Sequence, residues 1–280
     1  MGQTSINFEG LNSFYKNMAD NGNQSLFQKF LNSQFYKSII RSGVPRTRRQ
    51  RMYAVLGNVF LHLHPARLPR HAVKIGYTWC MGGLSFFIFV VLTITGIMLM
   101  FYYRPTVEYA FTDIIDLGEQ APLGIMRELH RWGAHAMVLT VWLHMLRVFM
   151  TGSYKPPREF NWAVGVILMT LTMFLSFTGY LLPWDQLAIW AITVGTNMAR
   201  AHPFIGSEGP GASLLTIGDL NLVTASSDVR FALLGGRFVG EATLLRFYVL
   251  HCILVPFIAM IFMAVHFWRI RKDGGISGPL

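Results

Sequence analysis

The stretch LHRWGAHAMVLTVWLHMLRVFMTG, residues 129–152, is apolar, long enough to cross a bilayer, and carries histidines at positions 130 and 144. A second stretch of this kind, LLRFYVLHCILVPFIAMIFMAVHFW at 244–268, carries His251 and His266. In a helix, such spacings place the two imidazoles of a stretch roughly 21 to 23 Å apart and within about 60° of one face. Two such helices side by side could hold two haems between them, stacked across a membrane.

The composition indicates a membrane protein. Hydrophobic residues make up 52% of the 280 residues, charged residues only 14%, and the mean hydropathy of +0.40 is too high for an ordinary soluble domain. Four stretches have the length and apolar character of membrane spans, and they lie at 77–103, 129–150, 162–182 and 244–268. The sequence therefore predicts an all-α integral membrane protein, a four-helix transmembrane bundle that binds haems between its helices.

Two regions are expected around this bundle. Residues 1–70 form an N-terminal extension, which we interpret as surface helices on the cytoplasmic leaflet or on a partner, with a partly disordered arm as the alternative. Residues 71–280 form the four-helix domain. Its loop at 183–243 is too long for a simple connector, and its glycines predict a folded surface element rather than a fifth span.

The placement of charge predicts the topology. Most of the basic residues behind the net charge of +10 precede the first span, lie between the second and third, or follow the fourth, whereas acidic residues concentrate in the other two loops. By the positive-inside rule, both termini lie on the negative side, cytoplasmic or stromal, of an energy-coupling membrane. Because the positions of the basic residues are explained by the topology, we expect no nucleic acid partner. We also expect the first span to serve as its own insertion signal, because no signal peptide is apparent.

Four histidines inside spans indicate haem ligation. A single one could be a hydrogen-bonded core residue, but ionisable groups in a membrane are costly, and matched pairs of imidazoles are what low-spin haem iron needs. The second and fourth spans run in the same direction, so His130 faces His251 at the outer level and His144 faces His266 at the inner level. His135 lies about 140° around the helix from His130 and receives no ligand role. The remaining histidines lie outside the spans and are expected at surfaces: His62, His64, His71 and His202.

Small and basic residues repeat the two-level pattern. Glycines 14 residues apart on the first and third spans would let a flat macrocycle pack against each helix, although close helix packing is an alternative for any one of them; they are Gly82, Gly96, Gly165 and Gly179. Arginines at the span ends could pair with haem propionates; they are Arg127, Arg131, Arg147 and Arg271. Anchoring at the membrane surface explains the last two equally well.

Five stretches together resemble cytochrome b6, the four-helix N-terminal half of cytochrome b in quinol-oxidising Rieske/cytochrome b complexes. They are FYYRPTVEYAF (101–111), residues 129–152 quoted above, KPPREFNW (155–162), TGYLLPWDQ (178–186) and the ending RKDGGISGPL. The likeness covers roughly residues 70–200 and 240–280. It implies that His130 and His251 ligate a positive-side haem b, and that His144 and His266 ligate a negative-side haem b.

The resemblance also implies further sites. Cys80, in YTWCMGG, corresponds to the cysteine that attaches an additional haem, a haem c, through one thioether bond on the negative side, with Arg271 near its propionates. The turn Pro183-Trp184-Asp185 corresponds to the segment beside the quinol-oxidising pocket, and the negative side near Arg271 to the quinone-reducing region. The implied function is transmembrane electron transfer from quinol to quinone through two haems b, coupled to proton translocation, in a quinol:cytochrome c or plastocyanin-type oxidoreductase.

The same likeness implies partners. They are a separate subunit supplying the C-terminal half of cytochrome b, a Rieske iron–sulfur protein, a c-type cytochrome or similar acceptor, membrane lipid, and a second copy in a homodimeric complex. The chain departs from the family pattern in its long N-terminal extension, in Ala188 and Ile189 after the PWDQ turn, and in an insertion of about 20 residues around 212–231. Two alternatives stay open: a bis-histidine haem anchor of another respiratory oxidoreductase, and a non-redox transporter, which would be colourless.

Overall fold

The computed structural model describes residues 26–34, 36, 45–63, 70, 74–217 and 220–276. Most of the predicted extension, including all of 1–25, lies outside these residues, as do His64 and His71. The chain divides into two compact units, 1–62 and 63–280, whereas the sequence suggested a boundary near residue 70.

The described part of the N-terminal extension is helical. Its helices are α1 (Leu26–Asn32), α2 (Arg48–Leu56) and α3 (Val59–Leu63). A capping box starts α2: the Thr47 hydroxyl accepts the Gln50 backbone N–H at 3.1 Å, and the Gln50 side chain accepts the Thr47 N–H at 3.1 Å. Met52, Tyr53 and Leu56 on this basic helix are more than half exposed. The location of these helices on the cytoplasmic leaflet or on a partner stays a prediction.

Long helices dominate the remainder of the chain. In order, the elements are α4 (Ile75–Thr78), α5 (Met81–Met100), α6 (Ala110–Glu119), α7 (Leu123–Met150), α8 (Glu159–Tyr180), α9 (Gln186–Arg200), a 3₁₀ turn (Ala212–Leu214), the hairpin β1 (Thr216–Ile217) and β2 (Leu220–Asn221), α10 (Val229–Leu234), α11 (Glu241–Val249), a π-helical segment (Leu250–Leu254) and α12 (Val255–Lys272).

Four helices of the described chain are long and apolar enough to cross a membrane. They are α5, α7, α8 and the continuous 32-residue helix Glu241–Lys272, which joins α11, the π-helical segment and α12. At most 11% of each span's most apolar stretch is buried, and large side chains such as Phe87, Leu139 and Phe257 are exposed. Such exposure suits helices that face lipid. The predicted all-α fold with four spans is confirmed.

Two helix boundaries differ from the predicted ones for local reasons. The first span begins at Met81 rather than 77, because Trp79 and Cys80 have φ angles of 50° and 51° and so interrupt the right-handed helix. The second begins at Leu123 rather than 129, directly after Pro122, whose missing N–H costs nothing at a helix start.

The spans pack in two pairs, α5 against α7 and α8 against α12. At the end of the bundle nearer His130 and His251, which we call the outer end after the predicted topology, a cluster that includes Tyr103, Leu181, Trp184 and Phe247 forms a buried core. Tyr103 donates a hydrogen bond to the Leu182 carbonyl at 2.6 Å, and burial raises the pKa of this phenol, so it stays a neutral donor. The outer ends of the helices are therefore fixed by packing and by a specific hydrogen bond.

The long loop after α8 is folded, and no further spanning helix occurs in its described residues. Asp185 caps α9 by accepting the Ala188 N–H at 2.8 Å, and Asp228 caps α10 by accepting the Phe231 N–H at 2.8 Å. Burial disfavours the charged form of Asp228, yet hydrogen bonds from Ser207 and Phe231 and the charge of Arg200 outweigh it and hold its pKa below the ordinary value.

Candidate haem-binding cavity

A continuous cavity of about 1560 Å³ lies among the four spans. Its lining reaches from Cys80 at the start of α5 to Pro183 just beyond α8, and it includes all four histidines of the spans. Sites for a single small molecule usually measure about 300 to 1,000 Å³. The cavity therefore has room for more than one large, flat ligand.

The histidines meet across this cavity in the predicted pairs. The ring centres of His130 and His251 are 6.2 Å apart with 78° between the ring planes, and those of His144 and His266 are 6.5 Å apart with 80°. Two metal–nitrogen bonds of about 2.0 to 2.1 Å, plus about 1.2 Å from each nitrogen to its ring centre, give about 6.5 Å. The ring-centre separations in the structure are therefore close to those expected for two imidazoles bound to one iron atom.

The donor set indicates the kind of metal group. Among the described residues, no three of His, Cys, Asp and Glu come together as a binding site for a bare ion. Two imidazoles at each level leave the other coordination positions to a ligand that is not protein. Two axial histidines around a macrocycle meet this description.

Hydrogen bonds fix the tautomer of both imidazoles in the outer pair, His130 and His251. Thr95 donates its hydroxyl hydrogen to the Val91 carbonyl at 2.8 Å, so its oxygen, 2.8 Å from His130 Nδ1, must accept a hydrogen from that nitrogen. His251 Nδ1 lies 3.1 Å from the Leu175 carbonyl, which can only accept. Both rings therefore carry the proton on Nδ1 and leave Nε2 free to bind a metal.

The inner pair is held differently. The Nδ1 atom of His266 is buried and interacts with the backbone of Asn161, but it makes no hydrogen bond of good geometry. Among the described residues, no side-chain hydroxyl makes a hydrogen bond to either inner ring. The two levels therefore share the ligand type but differ in the groups behind the ligands.

Each of the four predicted glycines faces one histidine ring. On α5, a Cβ atom added at Gly82 would lie 3.1 Å from Cε1 of His144, and one added at Gly96 would lie 3.1 Å from Cε1 of His130. On α8, a Cβ atom added at Gly179 would lie 2.5 Å from Cε1 of His251, and one added at Gly165 would lie 3.8 Å from Cε1 of His266. The sequence predicted room for a macrocycle at these glycines. The structure shows that the missing side chains of Gly82, Gly96 and Gly179 make room for the imidazoles, whereas a Cβ at Gly165 would be at ordinary contact distance from His266. Room for a macrocycle beside these glycines stays a prediction.

His251 lies in the π-helical segment, in which the Val255 N–H bonds to the Leu250 carbonyl, five residues earlier. Pro256 follows directly, and its ring cannot donate to the carbonyl of Cys252. The missing bond explains why the helix widens here. Isolated π turns of this kind are common at functional sites.

Basic side chains line both ends of the cavity. At the outer end, Arg127 and Arg131 share Glu128, with N–O distances of 2.9 and 2.5 Å. At the inner end, Arg147 lies over the Tyr77 ring at 4.5 Å, and its buried Nε and one terminal nitrogen have no hydrogen-bond partner. Among the described residues, Arg158 also lines the cavity, but Arg271 does not.

The remaining predicted positions have clear local surroundings. Cys80 is exposed, free of any disulfide, and lines the inner end of the cavity. Pro183 and Asp185 line the outer end, while Trp184, with a φ of 54°, packs into the buried core. His135 lines the cavity too, but it packs against Trp132 of its own helix.

Sequence reasoning missed the residues behind the ligands. Thr95 and Thr178 each stand directly before a glycine that faces an outer histidine, and the Thr178 hydroxyl lies 3.2 Å from His251 Nδ1. The repeated Thr-Gly dipeptide was a signal that could have revealed them. Arg158 gave no comparable signal, because a cationic residue in a loop is expected on topological grounds alone.

Comparisons with known proteins agree with this geometry. The cytochrome b/b6/petB family model matches residues 69–209 and 223–274. Over 218 residues the chain is 39% identical to a cytochrome b6 of Heliomicrobium gestii, covering 78% of this chain and 91% of that protein. The unmatched residues 210–222 overlap the insertion predicted around 212–231.

A chain of a hyperthermophilic respiratory Complex III has a similar fold, with a TM-score of 0.62. The match covers 85% of this chain but only 55% of that longer chain, and at 24% identity it concerns the fold alone. The family model and the cytochrome b6 relative each match most of this chain. The chain belongs to the cytochrome b/b6 family.

Proposed function

We propose that this chain is the b6-type electron-transfer subunit of a quinol:cytochrome c or plastocyanin-type oxidoreductase. It would carry electrons from quinol oxidation on the positive side to a quinone-reducing site on the negative side, with proton translocation. The observation that carries the proposal is the pair of facing imidazoles at each of two depths, 6.2 and 6.5 Å apart between ring centres.

The residues present fit two haems b. His130 and His251 would bind the outer haem iron, and His144 and His266 the inner one. Bound there, the haems would supply reversible one-electron carriers at two depths in the membrane. The protein's part is to hold the ligand rings, which it does through the glycines that face them and through the Nδ1 hydrogen bonds of the outer pair.

Guanidinium groups at the two ends of the cavity would bind the propionates. Arg147 is the best supported, because its buried nitrogens lack a partner and a propionate would supply one. Arg127 and Arg131 keep a net positive charge after their pairing with Glu128. For Arg271, which is absent from the cavity lining, only the resemblance supports such a role.

A haem c attached through the Cys80 sulfur is part of the proposal. The thiol is exposed at the inner end of the cavity, where a third haem would lie beside the inner haem. The residue stands in a left-handed turn between α4 and α5, so its side chain lies outside the regular helix. Its role rests on the resemblance, and these surroundings are compatible with it.

Quinol would bind at the outer end, near Pro183, Trp184 and Asp185. Trp184 and the Asp185 cap fix the turn from α8 into α9, which leaves Pro183 at the cavity wall. One electron of quinol would pass to a Rieske cluster on another chain and the other would enter at the outer histidine pair. The proposed partners are that Rieske protein, a subunit with the C-terminal half of cytochrome b, a c-type cytochrome or similar acceptor, and a second copy of the complex.

The distribution of charge supports the proposed orientation. Arg147, Lys155 and Arg158 lie at the inner ends of α7 and α8, and Arg269, Arg271 and Lys272 at the inner end of α12. The positive-inside rule then puts these ends and both termini on the negative side. A membrane-impermeant maleimide added to sealed vesicles of known orientation tests this on Cys80→Ser carrying Lys155→Cys, a change at an exposed loop position. Relative to Cys80→Ser alone, the additional labelling is expected only from the negative side.

Haem analysis tests the function. Pyridine haemochrome measurements on the purified chain should give two extractable haems b, and haem staining after denaturing electrophoresis should show one retained haem. His266→Leu should remove one haem b and His251→Leu the other, whereas the matched His202→Leu, outside the spans, should remove neither. A purified chain without a b-type spectrum would contradict the proposal.

A further inference from the structure

The outer histidine pair has a support that the inner pair lacks. Thr95 precedes Gly96 on α5, and Thr178 precedes Gly179 on α8. At the inner level the corresponding residues are Met81 before Gly82 and Val164 before Gly165. Neither inner neighbour has a hydroxyl group.

Both threonine hydroxyls are fixed by their own helices. Thr95 is 3% exposed and donates to the Val91 carbonyl, and Thr178 is fully buried and donates to the Phe174 carbonyl at 2.9 Å. Each oxygen can therefore only accept from the facing Nδ1–H, at 2.8 Å from His130 and 3.2 Å from His251. Since the Leu175 carbonyl also accepts from His251, both outer imidazoles donate to fixed acceptors.

A hydrogen bond from Nδ1–H acts on a metal bound at Nε2. It increases the basicity of the ring and fixes its orientation. Ferric iron withdraws more electron density from the ring than ferrous iron, so the N–H is more acidic and its hydrogen bond stronger in the ferric state. Fixed acceptors behind the ligands therefore stabilise the ferric state, and hydrogen bonding near the cofactor is one of the ways a protein adjusts its potential.

We infer that Thr95 and Thr178 are positioning residues that hold the outer histidines in their metal-binding tautomer and lower the reduction potential of the outer haem. This inference rests on the proposed function. Only one electron is exchanged at the iron, and the proton stays on Nδ1 throughout.

Redox titration of the assembled complex in membranes tests this inference. The variants are Thr95→Val, Thr178→Val and the double variant, which keep the branched shape and remove the hydroxyl. Thr95→Ser and Thr178→Ser should restore the wild-type potential. The matched control is Thr172→Val: this buried threonine is also on α8, but its hydroxyl bonds only to the Leu168 carbonyl of its own helix. The outer component is identified as the one that His130→Leu removes.

The valine variants should decrease the ferric-to-ferrous ratio of the outer haem, at a fixed ambient potential, by about three- to tenfold, where tenfold corresponds to about 59 mV for one electron. The inner component and the Thr172→Val protein should be unchanged. An unshifted outer component, equal shifts of both components, or serine variants that behave like valine would overturn the inference. If a valine variant loses haem, the serine variant at the same position distinguishes the two explanations. Wild-type haem occupancy and potential in the serine variant support the role of the hydroxyl, and loss of haem from the serine variant overturns the inference. Two titrating haems b with no effect of the hydroxyls would refute this inference alone, whereas no b-type haem at all would refute the proposed function.

Discussion

Adding one methyl group at Gly179 should weaken binding of the outer haem selectively. An alanine Cβ there would lie 2.5 Å from Cε1 and 3.0 Å from both nitrogens of His251. These distances are well inside van der Waals contact, so the ring must move. Any such movement also weakens the bonds from Nδ1 to the Leu175 carbonyl and the Thr178 hydroxyl.

Gly165 gives the matched control on the same helix. There an alanine Cβ would lie 3.8 Å from Cε1 of His266, an ordinary contact distance. Overpacking typically costs about 1 to 3 kcal/mol, and about 1.4 kcal/mol is a tenfold change in affinity. Gly179→Ala should therefore weaken outer haem binding by about tenfold or more, while Gly165→Ala should leave inner haem binding nearly unchanged. Gly82→Ala and Gly96→Ala, at 3.1 Å each, should give intermediate losses.

The assay is the ratio of haem b to polypeptide after purification, measured from reduced-minus-oxidised spectra and pyridine haemochromes. Gly179→Ala should retain less haem b per chain than Gly165→Ala, and redox titration should show that the outer component is the one that is depleted. If Gly165→Ala lost haem as readily as Gly179→Ala, space beside the imidazole would not be the property that matters, and the steric argument would be wrong.

Three further predictions follow from single contacts. Cys80→Ser should abolish the haem-stained band on a denaturing gel and leave both haems b in place, and a retained band would show that Cys80 is not the attachment site. Arg147→Met should remove a buried cation beside the inner haem, so the ferric-to-ferrous ratio of that component at fixed potential should rise several-fold; a redox titration in which only the outer component shifts would contradict this placement. Asp113, 5% exposed, accepts three hydrogen bonds from Arg104 at 2.6 to 3.1 Å, and these bonds hold its pKa below the ordinary 3.8. Because the folded-state pKa is lowered, this stabilisation is fully present above pH 3.8 and is lost as the pH falls through the lowered value. Asp113→Asn should cost about 1 to 3 kcal/mol of stability near neutral pH. Thermal unfolding in detergent measures this cost, with the exposed Asp116→Asn as the control. The difference in stability between wild type and Asp113→Asn should shrink below pH 3.8, and a constant difference would rule out the ion pair as its source.

The spans and the histidine pairs could be predicted because each rests on a periodic pattern. Four apolar stretches of sufficient length give four helices, and the 14- and 15-residue spacings fix both imidazoles of a helix on one face. The alternation of the spans then gave the pairing of His130 with His251 and of His144 with His266, which the structure also has. No knowledge of the loops was needed for any of these steps.

The boundaries and the supporting contacts could not be predicted in this way. The interruption before Met81 depends on two non-glycine residues with positive φ, for which the sequence gives no rule. The facing of Gly179 and His251 depends on the distance between α8 and the fourth span, which is a property of packing. The Thr95 hydroxyl could have bonded only to its own helix, as the Thr172 hydroxyl does, because its contact with His130 depends on how α5 packs against α7.

The distribution of these residues over the helices has a consequence for assembly. The glycines that face His130 and His144 lie on α5, the partner of α7, and those that face His251 and His266 lie on α8, the partner of α12. Each helix pair therefore shapes its own two ligand rings without the other pair. The two ligands of each proposed haem, by contrast, come from different pairs. The haems would thus join the two pairs across the cavity, and any group that binds only the folded state stabilises it by mass action.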